Sequence, residues 1–143
     1  MTSAAIYPQT ERNLPGSILV VDDEPAVREL LVSCLEVEYI CRSAASAEDA
    51  LEELASQSFD LVMTDISMPG ISGLEFCKRL QTSHPALAVV VISALSEALY
   101  RQSAIAHGAD DFIQKPFDVE RLLDVVHRAL QARGMRLNPQ SNQ

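Results

Sequence analysis

The chain alternates between short unbroken apolar runs and longer stretches in which apolar residues return every third or fourth position. The first run is Ile18-Leu19-Val20-Val21, and Asp22-Asp23-Glu24-Pro25 breaks it. A short continuous run bounded by turn signals predicts a strand buried on both faces. Pro25 suits the first turn of a helix, and acidic residues before it suit a helix N-terminus. Val27, Leu30, Leu31, Cys34 and Leu35 then recur at helical spacing. The alternation repeats. Tyr39 to Ala44 predicts a second, weaker strand, and Ser46 is placed to cap a helix striped by Ala47, Ala50, Leu51 and Leu54. Leu61 to Thr64 predicts the third strand, followed by a helix marked by Leu74, Cys77 and Leu80. Ala88 to Ile92, the most apolar run, predicts the fourth strand. Ser93 or Ser96 starts the next helix, which carries Ala98, Leu99, Gln102, Ile105 and Ala106 and stops at His107-Gly108. Asp111 to Gln114 predicts a short fifth strand, interrupted by Lys115-Pro116. Asp118 caps a last helix striped by Val119, Leu122, Leu123, Val126 and Leu130, and Gly134 is expected to end it.

Five strand–helix pairs result, with strands starting near residues 18, 39, 60, 88 and 111. This predicts an α/β fold: a doubly wound, five-stranded parallel sheet with right-handed crossovers and helices on both faces. Five units are too few for an eight-fold barrel. Residues 1–16 hold two prolines and no periodicity and read as a flexible tail. Residues 17–133 read as one domain, and 134–143 as a C-terminal tail or the start of a linker.

Composition narrows the partners. Hydrophobic residues make up 48 % of the 143, enough for one core, but aromatics are only 5 %, so aliphatic side chains must fill it. Lys plus Arg number 11 against 20 Asp plus Glu, a formal charge of -9. That balance argues against direct nucleic-acid binding, which needs a basic face, and against an anionic membrane surface. Cys34, Cys41 and Cys77 form neither a CxxC nor a metal-ligand spacing and read as reduced thiols. With no secretory h-region and no apolar run near the roughly 20 residues of a membrane helix, a cytoplasmic location is expected.

Ligands of an open parallel sheet bind outside the carboxyl ends of its strands. Strand one ends on Asp22-Asp23, strand three on Asp65, strand four on Ser93 and strand five on Lys115. Strand two offers nothing there, as suits an edge, and the order 2-1-3-4-5 places the other four side by side. A buried strand ending on a carboxylate is costly unless something needs the charge. Three acids packed together repel unless a cation sits among them. A hard divalent cation with oxygen ligands, Mg²⁺ in particular, fits; it uses one or two carboxylates together with substrate phosphate.

The segments Ile18 to Pro25, Asp60 to Gly70, Val91-Ile92-Ser93-Ala94 and Gly108 to Phe117, in this order and each at a strand end, resemble the receiver domain of bacterial two-component response regulators. The resemblance spans about residues 17–133 and implies the flavodoxin-like, CheY-like (βα)5 fold. It also implies roles. Asp65 is the phosphoacceptor, which takes a phosphoryl group from a phosphohistidine of a sensor histidine kinase or phosphotransfer protein. Asp22 and Asp23 are the acidic pair of the Mg²⁺ site, Asp23 as a direct ligand and Asp22 through water, and the Ser67 backbone carbonyl completes the protein ligands. Ser93 is the switch hydroxyl, Lys115 the site lysine with a cis bond to Pro116, and Phe112 the aromatic of the switch. Such a domain is not an enzyme on other substrates; it catalyses only its own phosphorylation and dephosphorylation. Its output passes through the fourth helix, fifth strand and last helix, around Leu95, Leu99, Gln102 and Gln114, to a downstream protein, a fused output domain or a homodimer partner.

Departures from the family pattern are Ser72, where many relatives have Asp, and Phe112, which lacks a tyrosine hydroxyl. Leu95, two residues after Ser93, is bulky and apolar and is expected to hinder water and lengthen the phosphorylated state. His84, His107 and His127 are expected at surfaces or helix ends, away from the rim. An Asp-nucleophile phosphatase of the haloacid dehalogenase type would carry a second Asp where Ser67 stands. A receiver-like binding module that never takes phosphate would not need the full set Asp22, Asp23, Asp65, Ser93 and Lys115. Beyond Gly134 little chain remains, so either a stand-alone regulator or the N-terminal piece of a longer protein is expected.

Overall fold

Parallel pairing builds one sheet. β1 (Ser17–Val21) lies between β2 (Ile40–Ala44) and β3 (Leu61–Thr64), and β4 (Ala88–Ser93) and β5 (Asp111–Gln114) extend it in the order β2-β1-β3-β4-β5. The helices are α1 (Pro25–Leu35), α2 (Ala47–Ser56), α3 (Gly73–Ser83), α4 (Glu97–Ala106) and α5 (Val119–Leu137). The structure, a computed structural model, describes residues 16–137. Of the tails expected at 1–16 and 134–143, residues 1–15 and 138–143 lie outside the described residues, Gly16 accepts the Ile40 N–H at 3.0 Å, and residues 134–137 belong to α5 instead of a tail. Among those described, no helix is long and apolar enough to cross a membrane.

Alternation along the strands divides the core in two. Ile18, Val20, Leu61, Met63, Val90, Ile92 and Ile113 pack with Leu31 and Leu35 of α1 and with Leu122, Val125 and Val126 of α5. Leu19, Val21, Val62, Val89, Val91 and Phe112 point the other way, onto Ala50 and Leu54 of α2, Phe76, Cys77 and Leu80 of α3, and Ala104 of α4. Burying each such large side chain contributes roughly 1.5–3 kcal/mol, so both layers are needed to offset chain entropy. Caps set the helix starts: Ser46, Ser72 and Asp118 each accept a backbone N–H in the first turn of their helix. Gly108, at φ +109°, closes α4 as its position after His107 predicts.

Three expectations need correction. The positions that mark α4 in the sequence, Ala98, Leu99, Gln102, Ile105 and Ala106, all face solvent, with Leu99 77 % exposed. The helix packs instead through Ala104 and Tyr100, because a small residue lets it lie close to the sheet. Gly134 does not end α5, which runs on to Leu137. Glycine is only weakly unfavourable inside a helix, and no neighbour lies within 4 Å of where its side chain would be. Tyr39 precedes β2 and closes α1 instead, donating its N–H to the Leu35 carbonyl at 2.9 Å.

Cys77 is sealed between α3 and the sheet, and burial, with the Asp110 charge as a lesser cause, pushes its thiol up to about 12. Thiolate is the reactive form. Alkylation of the native protein at pH 8, mapped by mass, is therefore expected to spare Cys77, whereas the urea-unfolded chain is labelled there. Native labelling at Cys77 as fast as in urea would refute the packing.

Candidate functional site

Strand register brings the acids together. Val21 pairs with Thr64, so the residues that follow, Asp22 and Asp65, leave the sheet side by side at the point where strand order reverses. Backbone bonds continue the ladder one step beyond the strands: Asp65 N–H to Val21 carbonyl at 3.2 Å, and Lys115 N–H to Ser93 carbonyl at 2.7 Å. Asp22 is fully buried, Asp65 nearly so, and Asp23 is exposed at the mouth. One carboxylate oxygen from each lies within 4.8 Å of the others.

Lys115 reaches into this group from β5. Its Nζ donates to Asp22 Oδ2 at 3.2 Å and to Asp65 Oδ2 at 3.3 Å. Burial alone would lower the ammonium's pKa, but attraction to Asp65 and Asp22 and the hydrogen bonds to both outweigh it, and the net shift is upward from 10.5. Lys115 is therefore a cation at neutral pH. Its stabilising contribution is fully present below the unfolded-state value and is lost only as pH rises through the higher folded-state one.

The second oxygen of each buried acid is held by backbone. Asp65 Oδ1 accepts from Ile66 N–H at 2.6 Å and Ser67 N–H at 3.3 Å. Asp22 Oδ1 accepts from Glu24 N–H at 2.9 Å. Three carboxylates against one ammonium leave a formal charge of -2 in a set of hard oxygen donors. These residues fit a divalent cation such as Mg²⁺.

The sequence-predicted residues meet here. Asp22, Asp23, Asp65 and Lys115 form one cluster, Ser67 touches it through its N–H, and Ser93 is buried at the end of the adjacent β4. Ser93 Oγ accepts from Leu95 N–H at 3.1 Å, and the Leu95 side chain packs on the core edge. The Phe112 ring is fully buried among core residues. An outward rotamer would therefore forgo roughly 1.5–3 kcal/mol of burial. His84 and His107 cap the ends of α3 and α4, and His127 is exposed on α5, all off the rim.

Two contributors escaped the sequence reading. Arg28 donates from Nη1 to the Asp22 carbonyl at 2.7 Å and so fastens the β1–α1 turn. A cation near a helix N-terminus is unfavourable on the helix dipole alone, which was the signal. Gly73 opens α3 directly against the Asp65 carbonyl, where any Cβ would overlap that oxygen. Its N–H bonds to Ile66 at 2.8 Å. Only glycine allows so close a backbone approach, and nothing beside it in the sequence marked it.

On the opposite flank of Lys115, Gln114 Oε1 accepts the Glu97 N–H at 2.7 Å and caps α4, whose own N-cap Ser96 makes no side-chain bond. Arg101 joins Asp111 at 2.6 Å. β5 and α4 are thus tied beside the cluster.

A doubly wound parallel sheet with a lysine-braced cluster of carboxylates at its switch point places the chain among α/β domains that carry their site at the strand ends. The chain belongs to the response regulator receiver domain family of two-component systems, whose model matches residues 18–127. It is 39 % identical over 122 residues to the nitrogen assimilation regulatory protein NtrX of Azorhizobium caulinodans, covering 83 % of this chain and 27 % of that protein. It is 34 % identical over 131 residues to the DNA-binding transcriptional regulator NtrC of Escherichia coli, covering 86 % and 28 %. The crystal structure of NtrX from Brucella abortus superposes with a TM-score of 0.84 at 34 % identity, over 91 % of this chain and 30 % of that one. The chain spans roughly a quarter to a half of the curated relatives it matches.

Two glycines give opposite expectations. Gly73→Ala forces Asp65 or α3 to move and is expected to cost about 1–3 kcal/mol in urea unfolding. Gly134→Ala meets nothing and is expected to gain about 0.4–1 kcal/mol. Equal effects at the two positions would contradict the close approach.

Proposed function

We propose that Asp65 accepts a phosphoryl group from a phosphohistidine of a sensor kinase or phosphotransfer protein, and that residues 17–133 are the unit that does so. An Asp65 carboxylate oxygen attacks phosphorus. A new O–P bond forms as the P–N bond to the imidazole breaks, and its electron pair stays on the leaving nitrogen. Oδ1 is held by two backbone N–H groups, which leaves Oδ2 facing Lys115. Phosphoryl transfer is chiefly positioning and charge neutralisation, and Lys115 supplies one positive charge beside the acceptor. Asp22, Asp23, Asp65 and the Ser67 carbonyl would hold Mg²⁺, which when bound would neutralise the phosphoryl oxygens. The observation that carries the reading is the shared grip of Lys115 on Asp22 and Asp65 inside a cluster that keeps a formal charge of -2.

Ser93 and Phe112 translate the event. The Ser93 hydroxyl, whose oxygen accepts the Leu95 N–H, turns to donate its O–H to a phosphoryl oxygen and draws the β4–α4 loop with it. Phe112 already fills the core beneath it. Displacement then passes to α4, which Gln114 and Arg101 tie to β5, and to the exposed face around Leu99. That face addresses a downstream protein, a fused output domain or a second copy. NtrC is a DNA-binding regulator of much greater length, which supports an output carried by another segment, because this domain's acidity is unsuited to DNA. Leu95 shields the site from water and prolongs the phosphorylated state.

Intact mass after incubation with Mg²⁺ and a small acyl-phosphate tests this. One added phosphoryl group is expected for the wild type and none for Asp65→Asn or without metal. No addition either from the acyl-phosphate or from a panel of phosphorylated histidine kinases would favour a binding module that never takes phosphate.

A further inference from the structure

The β3–α3 loop, residues 66–72, carries Ser67 against the acceptor, and in its middle Met68 and Ile71 rest on the core edge without fixing the backbone by hydrogen bonds to it. At its start Ile66 and Ser67 donate to Asp65; at its end Gly73 bonds back to Ile66 and Ser72 caps α3. Between these points, among the described residues, the hydrogen bond to another element comes from Ile71, whose N–H donates to Glu48 Oε2 of α2 at 3.2 Å. Glu48 sits in the first turn of a helix already capped by Ser46. An acid there is commonly explained by the helix dipole alone. The Ile71 bond argues otherwise. Gly70 takes φ +79°, and a side chain on it would meet Glu48 Oε2 at 2.5 Å. The positive φ by itself calls for glycine; the Glu48 carboxylate, the mobile end of its side chain, lies over that turn while it accepts the N–H of the next residue.

We propose that Glu48 is a positioning residue for the metal and phosphoryl site. It pins the β3–α3 loop from outside and so fixes the Ser67 backbone beside Asp65. The inference rests on the reading of Asp22, Asp23, Asp65 and Ser67 as the Mg²⁺ set. Glu48 acts through its acceptor oxygen: the Ile71 amide needs a lone pair there, and Gln supplies one as well as Glu does. Residues that orient a metal's ligands typically alter metal affinity when removed.

The test is calorimetric titration of the full chain with MgCl₂ alone, beside amide hydrogen exchange at Ile71, for wild type, Glu48→Ala and Glu48→Gln. Glu48→Ala is expected to weaken Mg²⁺ binding about tenfold and to speed exchange at Ile71. Glu48→Gln is expected to stay near wild type in both. Unchanged Mg²⁺ affinity in Glu48→Ala, with or without faster exchange, overturns the proposal. Equal weakening in both variants overturns it too, since long-range charge would then replace the tether. Absence of Mg²⁺ binding in the wild type itself would be distinct: it removes the metal reading and this inference with it.

Discussion

The Lys115 ammonium touches two carboxylates, Asp22 and Asp65, that the sheet has already forced together. Buried like charges at this separation repel strongly in a medium of low polarity. One cation shared between them, with backbone N–H groups on their other oxygens, makes the arrangement tolerable. It does not make it neutral: two carboxylates against one ammonium leave a formal charge of -1, and Asp23 at the mouth takes it to -2. On the proposed reading a divalent cation would neutralise that imbalance, and only with it in place would the rim accept an anionic phosphoryl group beside Asp65.

Each supporting feature works toward keeping these charges in place. The pairing of Val21 with Thr64 sets Asp22 and Asp65 level. Arg28 ties the Asp22 backbone to α1, and Gly73 lets α3 start close enough to bond Ile66. The two apolar layers keep the strands from sliding, since a one-residue slip would turn Asp65 away from the rim. β5, which leads into Lys115, also brings Gln114 to the start of α4, so the cluster and that neighbouring surface are joined through few intermediaries.

Much of this was legible in the sequence because buried parallel strands read as unbroken apolar runs and ligands gather at their ends. Ile18 to Val21 and Leu61 to Thr64 announced both strands and the acids that follow them. The α4 stripe misled because Leu99 and Ile105 are apolar but face outward, while Ala104, the residue that packs, carries little hydrophobic signal. Gly134 misled because glycine marks helix ends only on average. Arg28, Gly73 and Glu48 were hidden for a different reason. Their partners are main-chain groups, the Asp22, Ile66 and Asp65 carbonyls and the Ile71 N–H, and main-chain groups leave no trace in side-chain patterns.

The rim holds more negative charge than Lys115 can balance. Thermal unfolding of wild type and Asp23→Asn, each with and without Mg²⁺, measures this most directly. A ligand of the folded state at a hundredfold excess over its Kd stabilises by about 2.7 kcal/mol, so the wild-type Tm is predicted to rise by about 5–10 °C. Asp23→Asn is predicted to start from a higher Tm without metal and to gain little from it. A wild-type Tm indifferent to Mg²⁺, with Asp23→Asn no more stable than its parent, would contradict the account.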